Sequence, residues 1–175
     1  MDQLVLVMPS REFIALRGLS TAIAMPVLES LQEDSWFALP SAVREDPLAV
    51  EVHIGLLLVR PGEALLAEDG HLLRHSPIPP EAFATAQGLA GLRRHVQGLV
   101  GSQRVELVGY LYHPVVLSRT FVLLYRCHGG NATGSWVPSA TLAGLVQDPL
   151  DQMVLPLATQ APPGSHSSAS RAVPR

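Results

Sequence analysis

In GLRRHVQGLVG (91–101), Arg93, Arg94 and His95 sit together on a glycine-ended amphipathic segment that contains no carboxylate. Arginine recognises phosphate or carboxylate bidentately, so Arg94 and His95 are candidate contacts for a small anionic ligand; the plainer reading is a solvated helix face. His53, in the apolar run EVHIG, is a third candidate, as ligand contact or general base, set against a hydrogen-bonded strand residue. His71 and His75 stand four apart in EDGHLLRH, behind Glu68 and Asp69. On a helix such a pair could share zinc. This segment, however, lies between a strand and a proline loop and lacks both HExxH and a third ligand, so it reads as a solvated loop with no metal. Cys127 and His128 are adjacent, which on a strand points them to opposite faces, so Cys127 reads as a buried apolar residue rather than a nucleophile. Arg119, Tyr125 and Arg126 share one strand-like run, where alternation lets only some of them line a concave sheet. Tyr110 and Tyr112 share one strand face and read as packing residues.

Composition removes several classes of function. All twelve basic residues are arginine, which excludes Schiff-base chemistry, a Ser–Lys pair and the P-loop lysine. A net charge of −3 with no basic cluster argues against nucleic-acid binding. No apolar run approaches the roughly 18–20 residues of a membrane helix, and MDQLVLVMPSRE lacks the basic start of a signal peptide. The lone Cys127 leaves no intrachain disulfide or CxxC motif and fits a reducing cytoplasm. No GxSxG elbow frames a serine nucleophile.

The elements that must position these residues follow from periodicity. LVLVM (4–8) reads as a strand, and Ser10 as the cap of a helix over REFIALRGL closed by Gly18. STAIAMPVLESLQ (20–32) reads as a second helix started or kinked at Pro26, followed by the connector ALPSAVREDPLAV. EVHIGLLLVRPGEALLAEDG (51–70) is a hairpin turning at Pro61-Gly62, and SPIPPE (76–81) a loop, because its prolines forbid regular structure. From Glu81 to Val100 the helical period places Leu89, Leu92, Val96 and Leu99 on one stripe, and Gly101 is the C-terminal cap. RVELVGYLY (104–112) and SRTFVLLYRC (118–127) are strands. Ser139 should cap a short helix from Thr141 to Gln147, and residues 160–175 read as a disordered tail.

This order of strand, hairpin, glycine-ended helix, two long strands, Trp-containing loop and short helix resembles the Nudix hydrolase fold. REDPLAVEVHIGLLLV (44–59) is similar to a Nudix-related group labelled predicted phosphoesterases. The resemblance implies a single α+β domain over residues 1–159, a mixed sheet flanked by helices as an α/β/α sandwich. The family's helix reads Arg-Glu-apolar-x-Glu-Glu-x-Gly. Here Arg94 takes the arginine, Val96 the apolar position and Gly101 the terminal glycine. His95, Gly98 and Leu99 stand where the three catalytic glutamates would be, and Pro80 and Ala86 replace the upstream glycine and glutamate. Carboxylates at i, i+3 and i+4 share a helix face and hold Mg²⁺, a hard ion that wants oxygen ligands; imidazole, hydrogen and isobutyl cannot. Leu99 should extend the core instead. The expectation is therefore a catalytically inactive Nudix-like protein without cofactor, binding a small anion or a protein partner, a second copy included, or serving a regulatory role. The alternative is a divergent hydrolase of a phosphorylated or nucleotide substrate that holds its metal through other acids such as Glu45, Asp46 or Glu51.

Overall fold

The computed structural model describes residues 3–10, 17–22, 25–83 and 88–160. Among these residues, nine strands form one mixed sheet. Its centre is β4 (Ala49–Arg60) paired in parallel with β8 (Thr120–His128), in register from Glu51↔Thr120 to Val59↔His128. Phe121 to Cys127 are buried without interruption, as expected of a parallel strand with helices over both faces. β7 (Val105–Tyr112) runs antiparallel to β8 and carries β2 (Gly18–Ser20) on its outer edge. Beyond β4 lie β1 (Val5–Pro9) and β3 (Trp36–Ala38). β5 (Glu63–Leu66) and β6 (Arg74–Pro77) both pair with β4, and β9 (Ser135–Pro138) pairs with β5.

Strand alternation sorts the core into two faces. Val52, Ile54 and Leu58 of β4, with Phe121, Leu123 and Tyr125 of β8, pack under α1 (Met25–Glu33), α3 (Pro80–Phe83) and α4 (Gly88–Val100). Leu57 and Val59 of β4, with Val122 and Leu124, pack under α5 (Ser139–Leu145) and α6 (Pro149–Thr159). On that second side, a separate small cluster of Val5, Val7 and Ala49 is covered by Val43 of α2 (Pro40–Glu45). Arg119, at positive φ, donates to the carbonyls of Val43, Arg44 and Asp46, so it closes the end of α2 rather than lining a concave sheet. The architecture is the α+β sandwich expected, a mixed sheet between helices.

Several local expectations are corrected. Gly18 and Leu19 belong to β2, not to a helix end, while residues 11–16 lie outside the described residues. The connector after Ala38 contains α2, which starts at Pro40, a position where proline's missing N–H costs a helix nothing. SPIPPE is not all loop: Ser76 and Pro77 close β6, and Pro80 and Glu81 open α3. Pro77 is tolerated because it is the last residue of a strand whose one partner among the described residues is β4. Pro138 rather than Ser139 occupies the cap of α5, and α5 ends at Leu145. α6 is an additional helix, which Asp148 caps by accepting from the N–H groups of Leu150 and Asp151. Residues 161–175 and Ala86 lie outside the described residues. No helix among the described residues is long and apolar enough to cross a membrane.

Candidate functional site

α4 packs on the sheet through one face. Leu92, Val96 and Val100 are buried against the sheet, with Leu89 packed beside them, and Gly101 ends the helix at φ +63. Leu99 does not extend this stripe: it is 52% exposed, because Val100 occupies the inward position one residue on. Arg93, Arg94 and Gly98 are exposed and His95 is half-buried. A Cβ added at Gly98 would meet nothing within 4 Å. His95, Gly98 and Leu99, the positions likened to the family's glutamates, thus form a partly to fully solvent-exposed patch without a carboxylate. His53 does not join Arg94 and His95. It shares the strand face of Leu57 and Val59, so the sheet stands between it and α4.

The ionisable groups gather instead on the α6 side. There Glu51 and His53 of β4 interrupt the apolar face between Ala49 and Leu57. His53 Nε2 lies 2.8 Å from Glu51 Oε1, and His53 Nδ1 lies 2.9 Å from His75 Nδ1 on β6. His75 sits opposite Gly55, where a Cβ would stand 2.7 Å from Val122 Cγ1 and 3.0 Å from Leu73 Cδ1; only glycine lets β6 dock this closely. Burial, then His53, lower the pKa of His75. Just before β6, His71 Nδ1 lies 3.0 Å from Oδ2 of Asp151, whose Oδ1 accepts the N–H of Leu73 at 2.7 Å. Asp151 is 1% exposed, and its hydrogen bond raises the pKa of His71. Asp69, His71, Arg74, His75, Asp148 and Asp151 line a cleft of about 400 Å³. The guanidinium of Arg74 donates to the carbonyl of Thr133. EDGHLLRH is thus not a free loop. His71 is tied to α6, and its metal-type neighbours come from a helix 80 residues later in the chain, which no local spacing could reveal.

A larger cavity of about 690 Å³ opens at the carboxyl ends of β4 and β8, where parallel strands commonly leave room for ligands. Its wall includes Arg60, Pro61, Arg104, His128, Ser139 and Thr159. Arg60 lies 3.8 Å over the ring of Trp136. Behind the wall, Glu106 accepts from Arg104, Arg126 and His128 at 2.9, 3.1 and 3.4 Å. Burial opposes ionisation of Glu106 but is outweighed by the hydrogen bonds from Arg126, Arg104 and His128, which hold its pKa down at about 2. Arg126 is 6% exposed, and its Nε has no hydrogen-bond partner among the described residues. Tyr125, by contrast, faces the α4 side and is buried there. Burial pushes the Cys127 thiol up to about 12, consistent with an apolar role. Tyr110 stacks on Phe121 in the core.

Compared with known proteins, the chain matches the crystal structure of Tm1382, a candidate Nudix hydrolase, with a TM-score of 0.74 at 15% identity. The match covers 89% of this chain and 97% of that one. No family model matches the sequence, and no curated protein matches it. The chain therefore has the Nudix-like fold.

Proposed function

We propose that the chain is a Nudix-fold binding protein for a small organic anion, held in the cavity at the carboxyl ends of β4 and β8, without the family's glutamate–magnesium chemistry. The observation that carries this reading is the composition of that cavity. Its volume of about 690 Å³ lies in the range of small-molecule sites, roughly 300–1,000 Å³. Arg60 and Arg104 supply cationic donors, His128 adds an imidazole, and no carboxylate is among its described lining residues. Arg104 and, behind the wall, Arg126 share one carboxylate, Glu106, while Arg60 stands over Trp136, so the region carries positive charge that an anion would balance. The apolar surfaces of Val59, Pro61 and Ala158 would hold the rest of such a molecule.

The absence of Nudix catalysis is supported by His95, Gly98 and Leu99 at the glutamate positions. The divergent-hydrolase reading has less in its favour. Among the described residues Glu45, Asp46 and Glu51 form no group able to hold a metal. Glu51 is engaged by His53, and Asp46 by the N–H of Leu48.

Thermal unfolding with a panel of nucleotides, sugar phosphates and dicarboxylates tests the binding reading. A ligand at a hundred times its Kd should stabilise by about 2.7 kcal/mol, and Arg104→Gln should shrink that effect. No shift from any anion, or an undiminished one in Arg104→Gln, would remove the cavity from consideration. A magnesium-dependent assay on nucleoside diphosphate derivatives should show no product above background. Product formation that disappears in Glu51→Gln would restore the hydrolase.

A further inference from the structure

The cleft on the α6 side stands apart from the anion cavity, and nothing about it depends on that cavity being occupied. His71, Asp148 and Asp151 bring one ligand atom each to within 4.8 Å of one another. Ligands around zinc at about 2.0–2.2 Å stand roughly 3–3.5 Å apart, so side-chain adjustments of about an ångström complete the set. The His71 Nδ1 to Asp151 Oδ2 distance is already 3.0 Å, the spacing of two neighbouring ligands on one ion. A dication would there replace the proton the two groups share.

Backbone N–H groups hold both carboxylates in place. Asp151 Oδ1 accepts from Leu73. Asp148 Oδ1 accepts from Leu150 and Asp151, which leaves Oδ2 as its ligand atom. Asp69 also lines the cleft, its Oδ1 accepting the N–H of His71. Three carboxylates thus face one guanidinium, Arg74, which is turned toward Thr133.

A second observation comes from outside this cluster. Glu51, as a carboxylate, can only accept, so His53 Nε2 carries the proton of that bond. In the tautomer with its proton on Nε2, His53 Nδ1 accepts, and His75 Nδ1–H donates to it. This leaves the lone pair of His75 on Nε2. His75 lines the same cleft, beside the three ligand atoms that lie within 4.8 Å of one another, so a carboxylate-backed imidazole borders the site. Metal-binding histidines are oriented in this way, the ring nitrogen away from the ion donating along a chain that ends on a carboxylate.

We propose that this cleft binds one transition-metal dication, of the zinc type, through His71, Asp148 and Asp151, with His75 as fourth ligand backed by His53 and Glu51. The mixed imidazole and carboxylate set suits zinc, nickel or cobalt and disfavours magnesium, which requires an octahedron of oxygens. The ion would clamp the segment leading into β6 to the first turn of α6.

Calorimetric titration of ZnCl₂ into the EDTA-stripped full-length chain tests this. One saturable site is expected, with MgCl₂ failing to compete at equal concentration. His71→Ala should weaken zinc binding more than about tenfold, and Asp148→Asn, which keeps the helix cap but removes the charge, at least about tenfold. His75→Ala should weaken it less. Circular dichroism of the metal-free variants checks that they are folded. If His71→Ala fails to fold, Co²⁺ binding to the native chain, read by its visible absorption, and loss of that absorption in Asp148→Asn decide the matter. No saturable one-to-one binding, or binding unchanged in Asp148→Asn and His71→Ala, overturns the proposal.

Discussion

On one side of the sheet, α4 turns Arg93, Arg94, Gly98 and Leu99 to water and sends only Leu92, Val96 and Val100 inward. On the other, Glu51, His53 and His75 form one hydrogen-bonded chain and His71 and Asp151 another pair, and α6 caps itself with an aspartate beside them. The first side has the outline of a catalytic helix and contributes packing. The second has no recognisable motif and carries the ionisable groups most tightly held in place. In this fold, then, the place where chemistry is sought by pattern and the place where polar groups are organised are separate.

That contrast can be broken by substitution. The largest effect should come from Asp151→Ala, which leaves the buried N–H of Leu73 without an acceptor and removes a charged hydrogen bond; a loss of about 3 kcal/mol in urea unfolding is expected. A loss under 1 kcal/mol would mean that Asp151 organises little. Gly55→Ala should cost about 2 kcal/mol by overpacking against Val122, Leu124 and Leu73, and should loosen β6, read as faster amide exchange at His75. Glu106→Gln should cost about 2 kcal/mol at pH 7, since it strips the buried Arg126 of its counter-charge. The same group sets a pH dependence. Its folded pKa of about 2 lies below the ordinary 4.5, so its stabilisation is full above pH 4.5 and is lost as pH falls toward 2. Acid unfolding curves of the native chain and Glu106→Gln should therefore converge in that window. The smallest effect belongs to the α4 side: Gly98→Ala, in an exposed helix interior with open space around it, should raise stability by about 0.5–1 kcal/mol. A loss there would show that the surface of α4 is packed against something after all.

The sheet could largely be read from local pattern. The hairpin at Pro61-Gly62, the two long strands β7 and β8, and the glycine end of α4 each announce themselves within a dozen residues. What escaped did so for identifiable reasons. On a 3.6-residue period Leu99 and Val100 fit the stripe almost equally, and tertiary packing chose Val100. β6 hid behind its proline, and α6 behind Pro156 in its interior, although Asp148 followed by Pro149 is a helix start. The cleft was out of reach because Asp151 meets His71 across 80 residues, and because Gly55, which admits β6, looks in sequence like a weakness in a strand.

The central pair of strands also has a consequence for synthesis. β4 is made early, and on its β8 side it hydrogen-bonds to a strand roughly seventy residues later. Until Thr120 to His128 leave the ribosome, AVEVHIGLLLVR has one long apolar edge with nothing to pair with. A nascent chain stalled after α4 would therefore be a natural client for chaperones, and a truncation ending near Gly101 should aggregate where the full chain does not.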